Sequence, residues 1–153
     1  MTTSRPPSTW DELERYLPYL VNRLASLGQI VQNHALHERG INLVFLRTLS
    51  ILNIEDGLTI NEISARIFAE QSSTSRAIDA MVSLGLVERR IPDRDQRRRE
   101  ISLTERGRRQ LRESWPAMER YFEQLVDGIS DEDRDVCRRV LARMIANVAH
   151  LKP

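Results

Sequence analysis

The chain has 153 residues, of which 41% are hydrophobic and 29% charged, with six glycines and six prolines. This composition is typical of a soluble globular protein of about one domain and argues against a disordered or fibrous chain. The longest stretch without a formal charge, residues 24–37, is too short and too polar to span a bilayer, so we expect no membrane association. The first residues lack the apolar run of a secretory signal, which predicts a cytoplasmic location.

Basic residues are concentrated in the middle of the chain. Residues 66–109 hold eleven arginines and seven acidic residues, a net charge of +4, whereas residues 1–65 and 110–153 are each weakly negative. A chain of net charge +1 can therefore still present one strongly basic surface. Only one of its 23 basic residues is lysine, and arginine is the better bidentate ligand for phosphates and base edges.

The N-terminal region predicts a flexible arm followed by one long helix. Residues 1–8 combine two prolines with small polar residues, the pattern of a loose arm. Thr9 and Glu12 can form a capping box at the start of a helix that covers residues 9–38, with Pro18 expected to kink or re-aim it. Apolar residues repeat along this helix in steps of three and four, a heptad seam of Leu13, Leu17, Leu20, Leu24, Leu27 and Val31.

Two further helices, within residues 108–153, carry a similar seam. Asp127-Gly128 separates them, and Ser130 can cap the second. The terminal helices carry more apolar surface than a small monomer needs, which predicts a two-fold homodimer formed by residues 9–38 and 108–153. The dimer contacts are assigned to Leu13, Leu17, Leu20, Leu141, Met144, Val148 and Leu151.

The centre of the chain predicts two short helices joined by a tight connection. Asn42 can cap a helix through about residue 52, and Thr59 with Glu62 forms a capping box for the next helix. Residues 68–71 then lead to a helix over about residues 72–84 with a polar outer face. This pair of helices matches a helix-turn-helix. The positions predicted to face inward are Ile60, Ile63, Ile67, Thr74, Ile78, Met81 and Val82.

Residues 86–91 and 99–103 alternate apolar and charged side chains on either side of a charged tip, the pattern of a β-hairpin. The tip carries Arg94, Arg97 and Arg98 at the end of a projection, so we interpret the hairpin as a wing. The predicted fold is mainly α with this small β-hairpin: a winged helix-turn-helix of six helices. Residues 41–107 form its DNA-binding lobe.

Four short motifs carry a resemblance to a known family. They are Thr74-Ser75-Arg76-Ala77-Ile78-Asp79, Leu84-Gly85-Leu86-Val87-Glu88-Arg89, Asp95-Gln96-Arg97 and Leu103-Thr104-Glu105-Arg106-Gly107. The order and spacing of these motifs resemble those of the MarR family of winged-helix transcriptional regulators, and the resemblance covers almost the whole chain. The resemblance implies that the first and last helices dimerise and that the middle binds DNA. It also favours Arg97 as the arginine that enters the groove.

The second helix of the pair is expected to enter the major groove, where each base pair exposes a distinct pattern of donors and acceptors. Its candidate contacts are Ser72, Ser73, Thr74, Ser75 and Arg76. Thr74 and Ser75 remain alternatives, since one of them must turn inward near Ile78. The wing residues Arg94, Arg97 and Arg98 suit a narrow minor groove, whose negative potential favours arginine.

These features predict a repressor that binds a palindromic double-stranded DNA operator as a homodimer and is released by a small-molecule effector. The resemblance implies an aromatic acid or a related metabolite as that effector. Arg23 could pair with its carboxylate and Trp115 could stack on its ring. Few candidate bases and nucleophiles and no phosphate-cradling loop are present, so we expect neither catalysis nor a cofactor.

Several alternatives stay open. The chain could be a helical protein-interaction adaptor without DNA binding, although the arginine-bearing wing argues against this. It could be an activator rather than a repressor. It could also sense redox state through Cys137 or a metal through the histidines at positions 34, 37 and 150 with Glu38, but a seam cysteine is usually inert and no metal site is assigned.

Overall fold

The computed structural model describes residues 5–92 and 95–151, which form seven helices and one two-stranded antiparallel sheet. In chain order the elements are α1 (Trp10–Glu14), α2 (Leu17–His37), α3 (Leu43–Ile54), α4 (Ile60–Ile67), α5 (Gln71–Ser83), β1 (Val87–Arg90), β2 (Glu100–Leu103), α6 (Glu105–Leu125) and α7 (Asp131–Ala149). The chain divides into two compact units, one ending at Met118 and one starting at Glu119. The mainly α winged helix-turn-helix fold is thereby confirmed.

The N-terminal region forms two helices where the sequence predicted one, so the described residues contain seven helices instead of six. α1 ends at Glu14, and α2 begins at Leu17 with Pro18 in its first turn. Proline suits this position because the first N–H groups of a helix have no partner within the helix. Pro18 therefore starts a second helix rather than kinking a continuous one.

Four predicted helix caps are present as side-chain hydrogen bonds. Thr9 caps α1, Asn42 caps α3 and Ser130 caps α7, each accepting the backbone N–H three residues further on. The Glu12 carboxylate accepts the Ser8 N–H, so the capping box predicted at α1 is only half formed. At α4 the capping box is complete: Thr59 accepts the Glu62 N–H, and the Glu62 carboxylate accepts the Thr59 N–H. These caps satisfy N–H groups that a helix leaves without partners and fix where each helix begins.

The core of the first unit lies between α3, α4, α5 and the hairpin. Leu49, Ile63, Ile78 and Ile101 come from these four elements and have relative exposures of 0%, 0%, 0% and 1%. Burial of branched aliphatic side chains is the main favourable contribution to folding. This core holds α4 and α5 together as a helix-turn-helix and keeps the wing beside them.

The hairpin is paired antiparallel from Val87 opposite Leu103 to Arg90 opposite Glu100. Leu58 adds a short antiparallel bridge on the other side of β2, where the Ile101 N–H donates to the Leu58 carbonyl at 2.8 Å. This second pairing of β2 was not predicted from the sequence. It ties the base of the wing to the segment that leads into α4.

The Leu-Thr-x-x-Gly motif packs the start of α6 against the start of β1. The Thr104 hydroxyl donates to the Gly85 carbonyl at 2.7 Å and accepts the Gly107 N–H at 3.0 Å. A Cβ at Gly107 would lie 2.1 Å from the Leu86 carbonyl oxygen. Because no real side chain tolerates that distance, glycine is required here.

The seams of α2 and α7 are largely exposed in the single chain. On α2, Leu20 and Leu24 are 40% and 53% exposed, and on α7, Val140 and Val148 are 50% and 65% exposed. Cys137, also on α7, is exposed. None of the described helices is long and apolar enough to cross a membrane.

Candidate nucleic-acid interface

The connection between α4 and α5 consists of three residues, one fewer than predicted, because α5 begins at Gln71. Phe68 adopts a left-handed conformation with φ of 54° and is 92% exposed. Its N–H and that of Ala69 both donate to the Ser64 carbonyl, which closes the end of α4. Phe68 thus supplies a conformation for which glycine is the usual residue.

The first turn of α5 presents small hydroxyl side chains. Ser72 and Ser73 are exposed on this turn, and Arg76 is exposed one turn further along the helix. Glu70 precedes the helix without capping it through its side chain, so the first N–H groups of α5 also point outward without a helical partner. Such a helix end can bind a phosphate through its backbone while nearby side chains reach base edges.

Thr74 is turned inward and does not belong to this outer face. Its exposure is 0%, and its hydroxyl donates to the Glu70 carbonyl at 3.0 Å. Ser75, its alternative, is half-buried. The prediction of Thr74 as a DNA contact is therefore corrected: Thr74 lies on the same face as Ile78, four residues on, and packs toward the core with it.

The wing arginines differ in their surroundings. Arg97 is exposed, and none of the ion pairs formed among the described residues involves it. Arg98 is held by two carboxylates, with 2.9 Å to Glu62 and 2.7 Å to Glu100. Arg94 lies outside the described residues. Of the two described candidates, only Arg97 thus has a guanidinium that is not already bound to carboxylates.

Two ion pairs were not predicted from the sequence. Arg89 on β1 pairs with Asp79 on α5, which joins the wing to that helix. Arg98 joins the wing to α4 through Glu62. The only sequence signal for the first pair was that Asp79 and Arg89 both fall within the family motifs.

Trp115, the predicted stacking residue, lines a cavity of about 660 Å³. Apolar side chains of α3, α4 and α6 form most of its wall, and Arg47 and Arg66 supply positive charge. Arg66 pairs with Glu55 at 2.7 Å, whereas no ion pair among the described residues involves Arg47. Arg23, the predicted partner of an effector carboxylate, does not line this cavity and lies 3.4 Å from Glu14. In the single chain Arg23 and Trp115 therefore do not share this cavity.

The fold and this site define a winged helix-turn-helix DNA-binding protein. The MarR family profile matches residues 39–99. The transcriptional regulator TcaR of Staphylococcus aureus (strain Newman) is 30% identical over 129 residues, which cover 83% of this chain and 85% of TcaR. The chain belongs to the MarR family of transcriptional regulators.

Two other similarities agree with this assignment. The transcriptional repressor MprA of Escherichia coli (strain K12) is 25% identical over 123 residues, which cover 79% of this chain and 70% of MprA. The crystal structure of a MarR family transcriptional regulator from Silicibacter pomeroyi DSS is 32% identical, with a TM-score of 0.83 and coverage of 95% of this chain and 97% of that one.

Proposed function

We propose that this regulator is a repressor that binds a palindromic operator with α5 in the major groove and Arg97 of the wing in the minor groove. The observation that carries the proposal is the combination of two exposed features on one lobe. Ser72, Ser73 and Arg76 form the outer face of α5, and Arg97 lies exposed on the wing. A helix fits the major groove, and arginine is favoured in a narrow minor groove.

The proposed regulator acts as a homodimer. Residues 41–107 form its DNA-binding lobe, and residues 9–38 and 108–153 form its dimerisation region. The arm predicted over residues 1–8 lies partly outside the described residues, which begin at Arg5. The exposed seams of α2 and α7 support this division, because a second copy would remove their apolar side chains from water. Two lobes related by a two-fold axis read half-sites about 34–36 Å apart.

DNA fragments from the region upstream of the chain's own gene provide the test. We expect the wild-type protein to shift such a fragment, and to bind it more weakly as salt rises because arginine contacts release counterions. Arg97→Ala should weaken binding about tenfold and reduce the slope of log Kd against log salt by about 0.9 per contact, or about 1.8 for a dimer.

Arg138→Ala is the matched control for the Arg97 measurement. It removes the same charge from an exposed position on α7, outside the proposed DNA-binding lobe. Its affinity and salt dependence should equal those of the wild type. A wild-type protein that binds no upstream fragment, or an Arg97→Ala variant of unchanged affinity at low salt, would contradict the proposed mode of binding.

The proposed effector is a small aromatic carboxylic acid bound in the 660 Å³ cavity. Trp115 offers a flat apolar surface for a ring, and Arg47 can pair with a carboxylate. An effector releases DNA only if it binds more tightly to the conformation that fits the operator poorly. In this proposal Arg47, and not the predicted Arg23, is the partner of the effector's carboxylate.

Thermal shift measurements with benzoate and phenylacetate test this site. A ligand that binds only the native protein raises its melting temperature. We expect a shift in the wild type that Arg47→Gln abolishes and Arg23→Gln leaves unchanged. A shift lost in Arg23→Gln but kept in Arg47→Gln would overturn the assignment of Arg47.

The direction of regulation is proposed from the similarity to the repressor MprA. A repressor's operator overlaps the promoter, so that bound protein excludes the polymerase. Footprinting of the upstream region would locate the operator. Protection that lies wholly upstream of the promoter elements would instead support an activator.

A further inference from the structure

Arg98 differs from its neighbours Arg97 and Arg99 because it bridges two structural elements. Its guanidinium donates to the carboxylate of Glu62, which lies 36 positions away on α4, at 2.9 and 3.2 Å. It also donates to Glu100 at the start of β2 at 2.7 Å. A side chain held by two carboxylates in this way has few donors left for a phosphate.

Glu62 is itself held in place by the capping box of α4. Its carboxylate accepts the Thr59 N–H at 2.7 Å and the Thr59 hydroxyl at 2.9 Å. These hydrogen bonds and, to a smaller extent, the nearby Arg98 hold the pKa of Glu62 below its ordinary range, although partial burial opposes the shift. Arg98 therefore meets an anchor that is charged at neutral pH and has a fixed position on α4.

The contacts between the wing and the segment before α4 extend from its base toward its tip. At the base, the Leu103 N–H donates to Asp56 at 2.8 Å, and the Ile101 N–H donates to the Leu58 carbonyl at 2.8 Å. Among the described residues, Arg98 adds the contact nearest to the tip, with Glu62 of α4. It lies beside Arg97, beyond the last paired residues of the hairpin.

We infer that Arg98 is a positioning residue: by binding Glu62 it fixes the direction of the wing relative to α4 and α5, and so presents Arg97 to DNA without contacting DNA itself. This inference rests on the proposed function, in which Arg97 enters a groove. A wing that is already fixed loses less conformational freedom when it binds, and the affinity is higher as a result.

The decisive variant is Glu62→Gln. Glutamine at this helix position can still accept the Thr59 N–H, so α4 keeps its cap, while the charge that binds Arg98 is lost. Removing a negative charge from a DNA-binding lobe should by itself tighten DNA binding. If the ion pair between Arg98 and Glu62 acts as a clamp on the wing, Glu62→Gln should do the opposite. DNA affinity should fall about threefold to tenfold, because the wing is released.

Three further variants separate the clamp from other roles. Arg98→Gln should lose as much affinity as Glu62→Gln, and the double variant should lose no more than either one. In Glu62→Gln, Arg98→Gln and the double variant, the slope of log Kd against log salt should stay at the wild-type value, since no phosphate contact is removed. Glu55→Gln is the matched control: it breaks the 2.7 Å ion pair between Glu55 and Arg66 of α4, which does not involve the wing, and should not weaken DNA binding.

Amide hydrogen exchange of residues 95–101 in the free protein provides a readout that does not need DNA. Glu62→Gln and Arg98→Gln should both accelerate exchange there, and Glu55→Gln should not. Unchanged exchange, tighter DNA binding by Glu62→Gln, or a reduced salt slope confined to Arg98→Gln would overturn the inference. A wild-type protein that binds no DNA would instead refute the proposed function, while the exchange data would still decide whether the clamp exists.

Discussion

Most large apolar side chains of residues 41–107, the proposed DNA-binding lobe, lie beneath other elements, whereas those of the α2 and α7 seams lie at the surface. Leu49 and Ile63 of the lobe are both 0% exposed, while Leu24 of α2 and Val140 of α7 are 53% and 50% exposed. The lobe therefore completes its core within one chain. The terminal helices leave apolar surface in water, and a second copy would cover it. Folding of the lobe and assembly of the proposed dimer should thus respond to different substitutions.

Leu49→Ala should have the largest effect on folding. Removal of a fully buried leucine side chain leaves a cavity and lowers the free energy of unfolding by about 2–5 kcal/mol. Leu24→Ala is the same chemical change at an exposed position and should mainly raise the dissociation constant of the dimer. Urea unfolding and sedimentation equilibrium of both variants measure the two effects. Similar losses of unfolding free energy in both would remove the distinction between the two regions.

The double variant Leu141→Asp/Val148→Asp should break the dimer while leaving the lobe folded. Burying an unpaired carboxylate in an apolar interface is strongly unfavourable, so we expect dimerisation to weaken about 100-fold or more, equivalent to about 2.8 kcal/mol. Light scattering would report a monomer, and circular dichroism would report retained helix. Arg138→Asp is the control, because it places a carboxylate on α7 at an exposed polar position. A double variant that remains dimeric would exclude these two residues from the interface.

The fold could be predicted from the sequence because its signals are local. Asn42 and Thr59 cap helices in the structure as their sequence positions indicated, since a cap depends only on the next three residues. Periodicity placed Ile63 and Ile78 in the core for a similar reason. The one helix predicted across Pro18 is instead two helices, because a proline can either kink or re-aim a helix or occupy the first turn of a new one.

The details of the candidate site depend on tertiary packing, which the sequence does not show directly. Either Thr74 or Ser75 had to turn inward, and the packing of α5 decides for Thr74. The partner of Arg98 is Glu62, 36 positions earlier, and no periodicity links a residue of the wing to a helix cap. Arg47 was not predicted as a cavity residue for the same reason, because only the fold brings α3 beside Trp115.

The smallest expected effect is a pH dependence of the lobe's stability that comes from Glu62. Hydrogen bonds from Thr59, with a smaller contribution from Arg98, lower the pKa of Glu62 in the folded chain. A carboxyl group with a lowered pKa stabilises the fold above its unfolded pKa, and this stabilisation is lost as the pH falls through the folded pKa. The wild type should therefore melt above Glu62→Gln at pH 7, by no more than about 3 °C since the ion pair is partly exposed.

The difference in melting temperature should shrink from about pH 5 downward and vanish once Glu62 is protonated. Arg98→Gln should reduce this pH dependence only in part, because the Thr59 N–H remains in place and contributes more to the shift than Arg98 does. Melting curves of the three proteins between about pH 3 and 7 measure this. A difference that stays constant over that range would mean that the charge of Glu62 does not stabilise the lobe. The difference would then come from the shape or the hydrogen bonding of the side chain and not from its charge.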